Sequence, residues 1–229
     1  MADSAERVLV VTAVAAEAEA VLAGLDGVEP VRVGPYAGSR AKTVAGEVLV
    51  LAGGVGPARA AACAATAVTL ERPSLLVAAG IAGGFAPAAV GGIVVADSVV
   101  HADLGADSPD GFLPLRALGF GADSVALPAD LVALAAGRTG GLVGPVLTVS
   151  TVTGTEERAA ALVARHRPLA EAMEGAGVWA AAEPHGLPVL EVRAVSNAVG
   201  RRDRSGWDVP AALAALSRAS AALFAGPLP

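Results

Sequence analysis

Residues 7–14 form a continuous valine-rich run broken by no charge after Arg7, with no apolar–polar alternation. A strand with that pattern must be covered on both faces, which is the situation of a strand inside an α/β sheet. Residues 75–79 and 92–100 read as two more buried strands, and 145–150 and 189–195 as further strands. Residues 41–45 and 47–52 read as two short strands joined near Gly46. Helix-forming stretches fall between them at 15–25, 57–70, 128–136, 156–166, 178–185 and 210–224, the last with proline in its first turn. Residues 102–127 are rich in Gly, Asp and Pro without a period, and read as loop. Strands alternating with helices predict a three-layer α/β/α sandwich with a mixed central sheet. No repeat, low-complexity tract or long linker divides the chain, so residues 1–229 are expected to form a single domain.

A chain of 229 residues can bury roughly 70% of its unfolded surface, so stability requires neither disulfides nor metal. The net charge of −6 with no basic tract argues against nucleic acid as a partner. Cys63, the single cysteine, lies in an alanine-rich run and is expected to be a small buried residue. One cysteine allows no internal disulfide and no cysteine-cluster metal site. Residues 1–6 are acidic rather than basic, so no secretory signal is expected. Residues 75–96 are charge-free and long enough to raise the question of a membrane span. Gly80, Gly83, Gly84, Pro87, Gly91 and Gly92 interrupt them, and two buried strands joined by a loop are expected instead. These readings give a soluble, cytoplasmic protein with no membrane partner.

Ligands of such sheets bind where strands end and loops begin, so polar residues just past apolar runs are the candidates. Glu17 follows the first run, in a stretch where a solvated first-turn glutamate would also be favoured by the helix dipole. Glu19 would point elsewhere on the same helix. Ala79-Gly80-Ile81-Ala82-Gly83-Gly84 and Gly53-Gly54-Val55-Gly56-Pro57 are glycine-rich turns that let a ligand approach the backbone. The second precedes a helix and suits an anion, but lacks the Gly-Lys-Ser/Thr of a nucleotide triphosphate loop. Arg59, beside it, reads as a solvated helix residue. Met173-Glu174 sits where a polar-ended strand meets a helix of small residues. Arg193 lies inside an apolar strand that runs out into Ser196-Asn197. A buried arginine needs an acidic partner, and Glu17 is the expected one.

In order and spacing these segments resemble the purine nucleoside phosphorylase / methylthioadenosine–S-adenosylhomocysteine nucleosidase superfamily, from residue 7 to about 224. The resemblance implies a nucleoside phosphorylase-like fold and an N-glycosyl hydrolase that uses no cofactor and no metal. It implies that Glu17 polarises the attacking water, that Arg193 orients that base and its water, and that Glu174 holds the ribose hydroxyls while Met173 packs on the sugar. Ile81, Ala82 and Gly83, with Val152 and Thr153, would line the substrate. The match departs from the family in two places: Ile81 stands where a hydroxyl residue is usual, and Ala172 where a second glutamate is usual.

Asn197 sets the expected base. Adenine-cleaving members carry aspartic acid here, which protonates the purine N7. A 6-oxopurine presents an acceptor, O6, beside N7, and an asparagine can donate to it where an ionised aspartate would repel it. The resemblance therefore implies a nucleosidase that releases a 6-oxopurine, in the branch whose substrate carries a 5′ benzoate. Water or Asp203 would supply the N7 proton. Trp207 would pack on the benzoate ring and Arg201 or Arg204 would pair with its carboxylate. The competing readings are a methylthioadenosine/S-adenosylhomocysteine nucleosidase, a phosphorylase, and a nucleoside-binding relative without turnover. Scarce cations in the glycine loops speak against phosphorolysis. Family members form dimers whose partner closes the site, so a homodimer or higher homo-oligomer is implied.

Overall fold

A computed structural model describes residues 7–229. The elements in order are β1 (Arg7–Thr12), α1 (Ala15–Leu22), β2 (Glu29–Val33), β3 (Tyr36–Thr43), β4 (Gly46–Ala52) and α2 (Pro57–Glu71). Then come β5 (Leu75–Gly84), β6 (Ile93–His101), the hairpin β7 (Gly105–Ser108) and β8 (Gly111–Pro114), β9 (Ser124–Ala126) and α3 (Ala129–Thr139). The chain continues through β10 (Leu142–Thr148), α4 (Glu156–His166), β11 (Ala170–Ala172), α5 (Gly175–Ala182), β12 (Val189–Ala198) and α6 (Val209–Leu223).

The central sheet runs β11-β10-β6-β12-β5-β1-β4-β3-β2, with β9 added on β6. It is mixed: β1 is parallel to β4 and β5, β12 is parallel to β5 but antiparallel to β6, and β10 is parallel to β6. As the valine-rich pattern requires, β1 is interior, and Leu9, Val10 and Val11 are fully buried. Helices α1, α3 and α6 pack together over the sheet, and α2 packs against α5 in a second helical group.

That second contact explains the small residues of both helices. A β-carbon on Gly177 of α5 would lie 2.1 Å from the Pro57 carbonyl oxygen of α2, so the backbones touch. Cys63 is buried on α2, and burial pushes its thiol up to about 12, so it is a packing residue and not a nucleophile.

One end of the sheet closes on itself. β11 pairs in parallel with β10 and also antiparallel with β5, through Ala170↔Gly84 and Glu171↔Gly83. Strands β5, β12, β6, β10 and β11 thus form a ring. The glycines at this corner are closely packed: a β-carbon on Gly84 would fall 2.6 Å from the Ala88 carbonyl oxygen, and one on Gly83 would fall 2.7 Å from Val199 Cγ2.

Several expectations need correction. β5 does not stop at residue 79 but continues through the glycines to Gly84, because β11 and β12 pair with that stretch. Residues 102–127 are not all loop: they hold the β7–β8 hairpin and β9. The hairpin strands pair only with each other, across a Pro109-Asp110 turn, and have no buried face to impose a period. β2 was not anticipated, and β3 begins at Tyr36 rather than 41, since it is sandwiched between β2 and β4. Among the described residues no helix is long and apolar enough to cross a membrane, and residues 75–96 hold β5 and the start of β6. The expectation about a secretory signal falls on residues 1–6, outside the described residues.

Candidate active site

Glu17, Ile81 and Asn197 follow or end β1, β5 and β12, three neighbouring parallel strands, at their C-terminal ends. Glu17 lies in the first turn of α1 and is 3% exposed. The backbone N–H groups of Ala13 and Val14 donate to its Oε2 at 2.9 and 3.1 Å, and that of Ile81 donates to Oε1 at 2.8 Å. It thus ties the start of α1 to β5. Burial pushes its carboxyl above the ordinary glutamate value, while the Ile81 N–H, the Arg193 charge and the Val14 N–H pull it back. Glu19 is exposed, as expected.

Arg193 is fully buried, but its partner is not Glu17. Its Nε donates to Glu191 Oε1 at 2.8 Å and its Nη1 to Glu174 Oε2 at 3.2 Å. Glu191 was missed, although residues i and i+2 of a strand share a face and the signal was in plain view. Glu17 approaches from across Gly80, the residue opposite Arg193 in β5. A β-carbon there would fall 2.5 Å from Glu17 Oε1 and 3.0 Å from Arg193 Nη1. Three buried carboxylates therefore converge on one guanidinium. Burial also raises the Glu191 carboxyl, against the pull of Arg193, and Glu191 sits so close to α5 that a β-carbon on Gly175 would meet its Oε2 at 2.2 Å.

Glu174 immediately precedes α5 and is 4% exposed. The Gly56 N–H donates to its Oε1 at 3.2 Å and the Met173 N–H to its Oε2 at 3.3 Å. Gly56 caps α2, so the anion facing that helix N-terminus is the protein's own Glu174. Arg59 is exposed.

Glu17, Ile81, Met173, Glu174 and Asn197 face one cavity of about 240 Å³, whose wall also includes Ala82, Gly83 and Val152. A smaller space of about 60 Å³ adjoins it across Gly83, Val152, Glu171 and Asn197, and is lined further out by Thr153, Arg201 and Trp207. A larger cavity of about 430 Å³ lies beside α4 and holds none of the anticipated residues. Asn197 is half-buried: Ser196 Oγ donates to its Oδ1 at 2.8 Å, and its Nδ2 donates to the Ala198 carbonyl at 3.0 Å.

The loop after β12 is divided. Arg201 lines the smaller space, whereas Arg204 lines neither and sits over the Trp207 ring at 5.8 Å, with Arg202 at 5.4 Å. Asp203 is exposed and accepts the Ser205 N–H at 2.9 Å, which holds its carboxyl below the usual range. It lines neither space. Glu171, also unassigned from sequence, is 5% exposed on the shared wall.

A buried carboxylate held by backbone donors beside an arginine suits activation of a water, and a second carboxylate across the same cavity suits a diol. The chain belongs to the phosphorylase superfamily, whose sequence profile matches residues 7–226. It is 58% identical over 177 residues to a futalosine hydrolase of Streptomyces coelicolor, covering 74% of this chain and 75% of that one. It is 48% identical over 224 residues to a futalosine hydrolase of Acidothermus cellulolyticus, covering 95% of this chain and 90% of that one. Among solved structures, an S-adenosylhomocysteine nucleosidase from Streptococcus pyogenes, bound to 5-methylthiotubericidin, superposes with a TM-score of 0.85 at 21% identity over 98% of both chains. The fold is that of the nucleoside phosphorylases.

Proposed function

We propose that this chain hydrolyses the N-ribosidic bond of futalosine, releasing hypoxanthine and leaving dehypoxanthinyl futalosine, a step of menaquinone biosynthesis. The observation that carries the reading is one cavity with Glu17 and Glu174 on its wall and Asn197 at its rim, in a chain 48% identical along nearly its whole length to a futalosine hydrolase. Glu17 takes the proton of the attacking water. Arg193 holds Glu174 directly and Glu17 through its charge. Glu174 accepts from the ribose hydroxyls and stabilises the positive charge that grows on the sugar, against which Met173 packs. Ile81, Ala82, Gly83, Val152 and Thr153 line the base, and Asn197 donates to O6. Arg201 and Trp207 hold the 5′ benzoate.

Water rather than phosphate is the nucleophile. Arg193, the guanidinium at this site, is already shared between Glu191 and Glu174, with Glu17 beside it, so the field repels a phosphate dianion. The exposed Val14 and Val55 at the mouth suit cover by a second copy, which supports a homodimer. The chain acts as one catalytic domain in the cytoplasm.

Incubation with futalosine, inosine and methylthioadenosine, each with and without phosphate, followed by chromatography, tests the reading. Hypoxanthine should be released from futalosine at the same rate in both buffers. Release of adenine alone, or a phosphate-dependent sugar phosphate, overturns it.

A further inference from the structure

We propose that Glu156 of α4 is a positioning residue for the 5′ end of the substrate: it holds the backbone at Gly200 and Arg201, so that the loop presents its guanidinium groups to an aromatic carboxylate. This rests on the substrate assigned above. Residues 201–206 are all exposed, so burial of apolar side chains does not order them. Two hydrogen bonds tie the stretch to the segment that opens α4. The Arg201 N–H donates to Glu156 Oε1 at 3.0 Å, and the Arg202 N–H donates to the Gly154 carbonyl at 3.2 Å. The fit at the first is close: a β-carbon on Gly200 would fall 2.7 Å from Glu156 Oε1 and 3.1 Å from Oε2. A residue without a side chain lets the carboxylate lie against the chain.

The tether decides where two cations sit. Arg201 and Arg202 both line the smaller space beside Trp207, and Arg202 lies over the ring at 5.4 Å. Among the described residues neither guanidinium has a carboxylate within salt-bridge distance, and neither does Glu156 pair with a cation. Glu156 therefore meets the loop through the backbone N–H and leaves both guanidinium groups free for a ligand. Glu171 is the one carboxylate lining that space, and the Thr153 N–H and hydroxyl donate to it. Two uncompensated guanidinium groups beside an indole match a ring that bears a carboxylate: the ring packs on Trp207 and its oxygens take paired N–H donors. A loop ordered before binding spares the ligand the entropic cost of fixing it. A glutamate in the first turn of a helix also complements the helix dipole, but that role bears on every substrate alike.

A comparison of two substrates tests this. Wild type, Glu156→Ala and Glu156→Gln are assayed on futalosine and on inosine, which has no carboxylate. The ratio of kcat/KM for futalosine to that for inosine should fall roughly tenfold or more in Glu156→Ala, the scale of one displaced hydrogen bond to a charged group. Glu156→Gln keeps an oxygen for the Arg201 N–H and should recover most of the ratio. A ratio that is unchanged in Glu156→Ala, or that falls as far in Glu156→Gln, overturns the proposal. If wild type releases no base from either nucleoside, the assigned reaction fails, and calorimetry with the same two ligands decides the role of Glu156. A preference for futalosine that is lost in Glu156→Ala and restored in Glu156→Gln supports it. Any other pattern, absence of binding included, overturns it.

Discussion

Glu191 accepts the Nε–H of Arg193 at 2.8 Å from two residues earlier on the same strand, and both side chains are fully buried. Removing one member of such a pair leaves an uncompensated charge in the interior, a loss of about 3–5 kcal/mol. Glu191→Ala should therefore lower the unfolding free energy by that amount in denaturant titrations. Glu191→Gln, which keeps an acceptor for Nε, should cost less. Because burial raises the Glu191 carboxyl, its contribution is full below the ordinary value of 4.5 and is lost as pH rises through the folded-state value. The Gln variant should show a shallower fall in stability across that window than wild type. A fall of equal steepness in both means Glu191 does not titrate there.

Glu17 must be ionised to accept a proton from water, and burial raises its carboxyl above 4.5. The acid limb of the kcat/KM profile should therefore lie above the ordinary glutamate range, with activity lost as pH falls through it. Glu17→Gln should slow turnover by roughly 100-fold to 10,000-fold with substrate still bound, as for loss of a general base. Glu174→Gln should instead impair both kcat and binding, since the proposed ribose contact would exist in the ground and transition states alike. Near-normal turnover by Glu17→Gln would assign the water to another group.

Gly80 keeps the approach between Glu17 and Arg193 open. In Gly80→Ala the new methyl would meet Glu17 Oε1 at 2.5 Å and Arg193 Nη1 at 3.0 Å, so at least one charged group must shift. Displacements of this kind at a reacting centre cost on the order of 100-fold in rate. Activity should fall by about that factor while the far-ultraviolet circular dichroism stays unchanged. Wild-type kcat in a folded Gly80→Ala protein would show that the Glu17–Arg193 geometry is not critical.

The sequence carried the sheet, and singled out Glu17, Glu174 and Arg193 as candidates, because both depend on local pattern. Valine-rich runs announce interior strands, and Glu17, Glu174 and Arg193 sit at strand ends or inside an apolar run. The ion pairing was not legible in the same way. Expecting Glu17 as the partner of Arg193 joined two segments far apart in sequence, whereas β12 supplies Glu191 from the same face. The placement of Glu171 on the cavity wall escaped notice because it depends on β11 reaching back to β5, a long-range pairing with no local signature. The β7–β8 hairpin was hidden for the opposite reason: it buries no face, so it carries no period.

Asn197 is placed by its own neighbours, with Ser196 donating to its Oδ1 and its Nδ2 donating to Ala198. Asn197→Asp replaces that donor by an acceptor and sets a negative charge where the proposed reading places O6. Hydrolysis of hypoxanthine nucleosides should fall by roughly tenfold or more, the scale of one lost charged or polar contact, and adenine nucleosides should become relatively better substrates. Competition assays with inosine and methylthioadenosine measure the ratio, and an unchanged ratio removes Asn197 from base selection.

Arg201 and Arg204 separate in the structure where the sequence made them equivalent. Arg201 lines the space beyond Asn197 together with Trp207, while Arg204 lies over the Trp207 ring and lines neither cavity. A benzoate held there would meet the Trp207 ring and the Arg201 guanidinium, which matches a carboxylate with two parallel hydrogen bonds. Arg201→Ala should therefore reduce kcat/KM for futalosine by about 1.5–3 kcal/mol of transition-state binding, with little change for inosine, which has no carboxylate. Arg204→Ala should have the smaller effect, through the orientation of Trp207 alone. Parallel kinetics of both variants on both substrates make the comparison. Equal losses on futalosine and inosine for Arg201→Ala would show that this arginine supports the loop and does not bind the 5′ group.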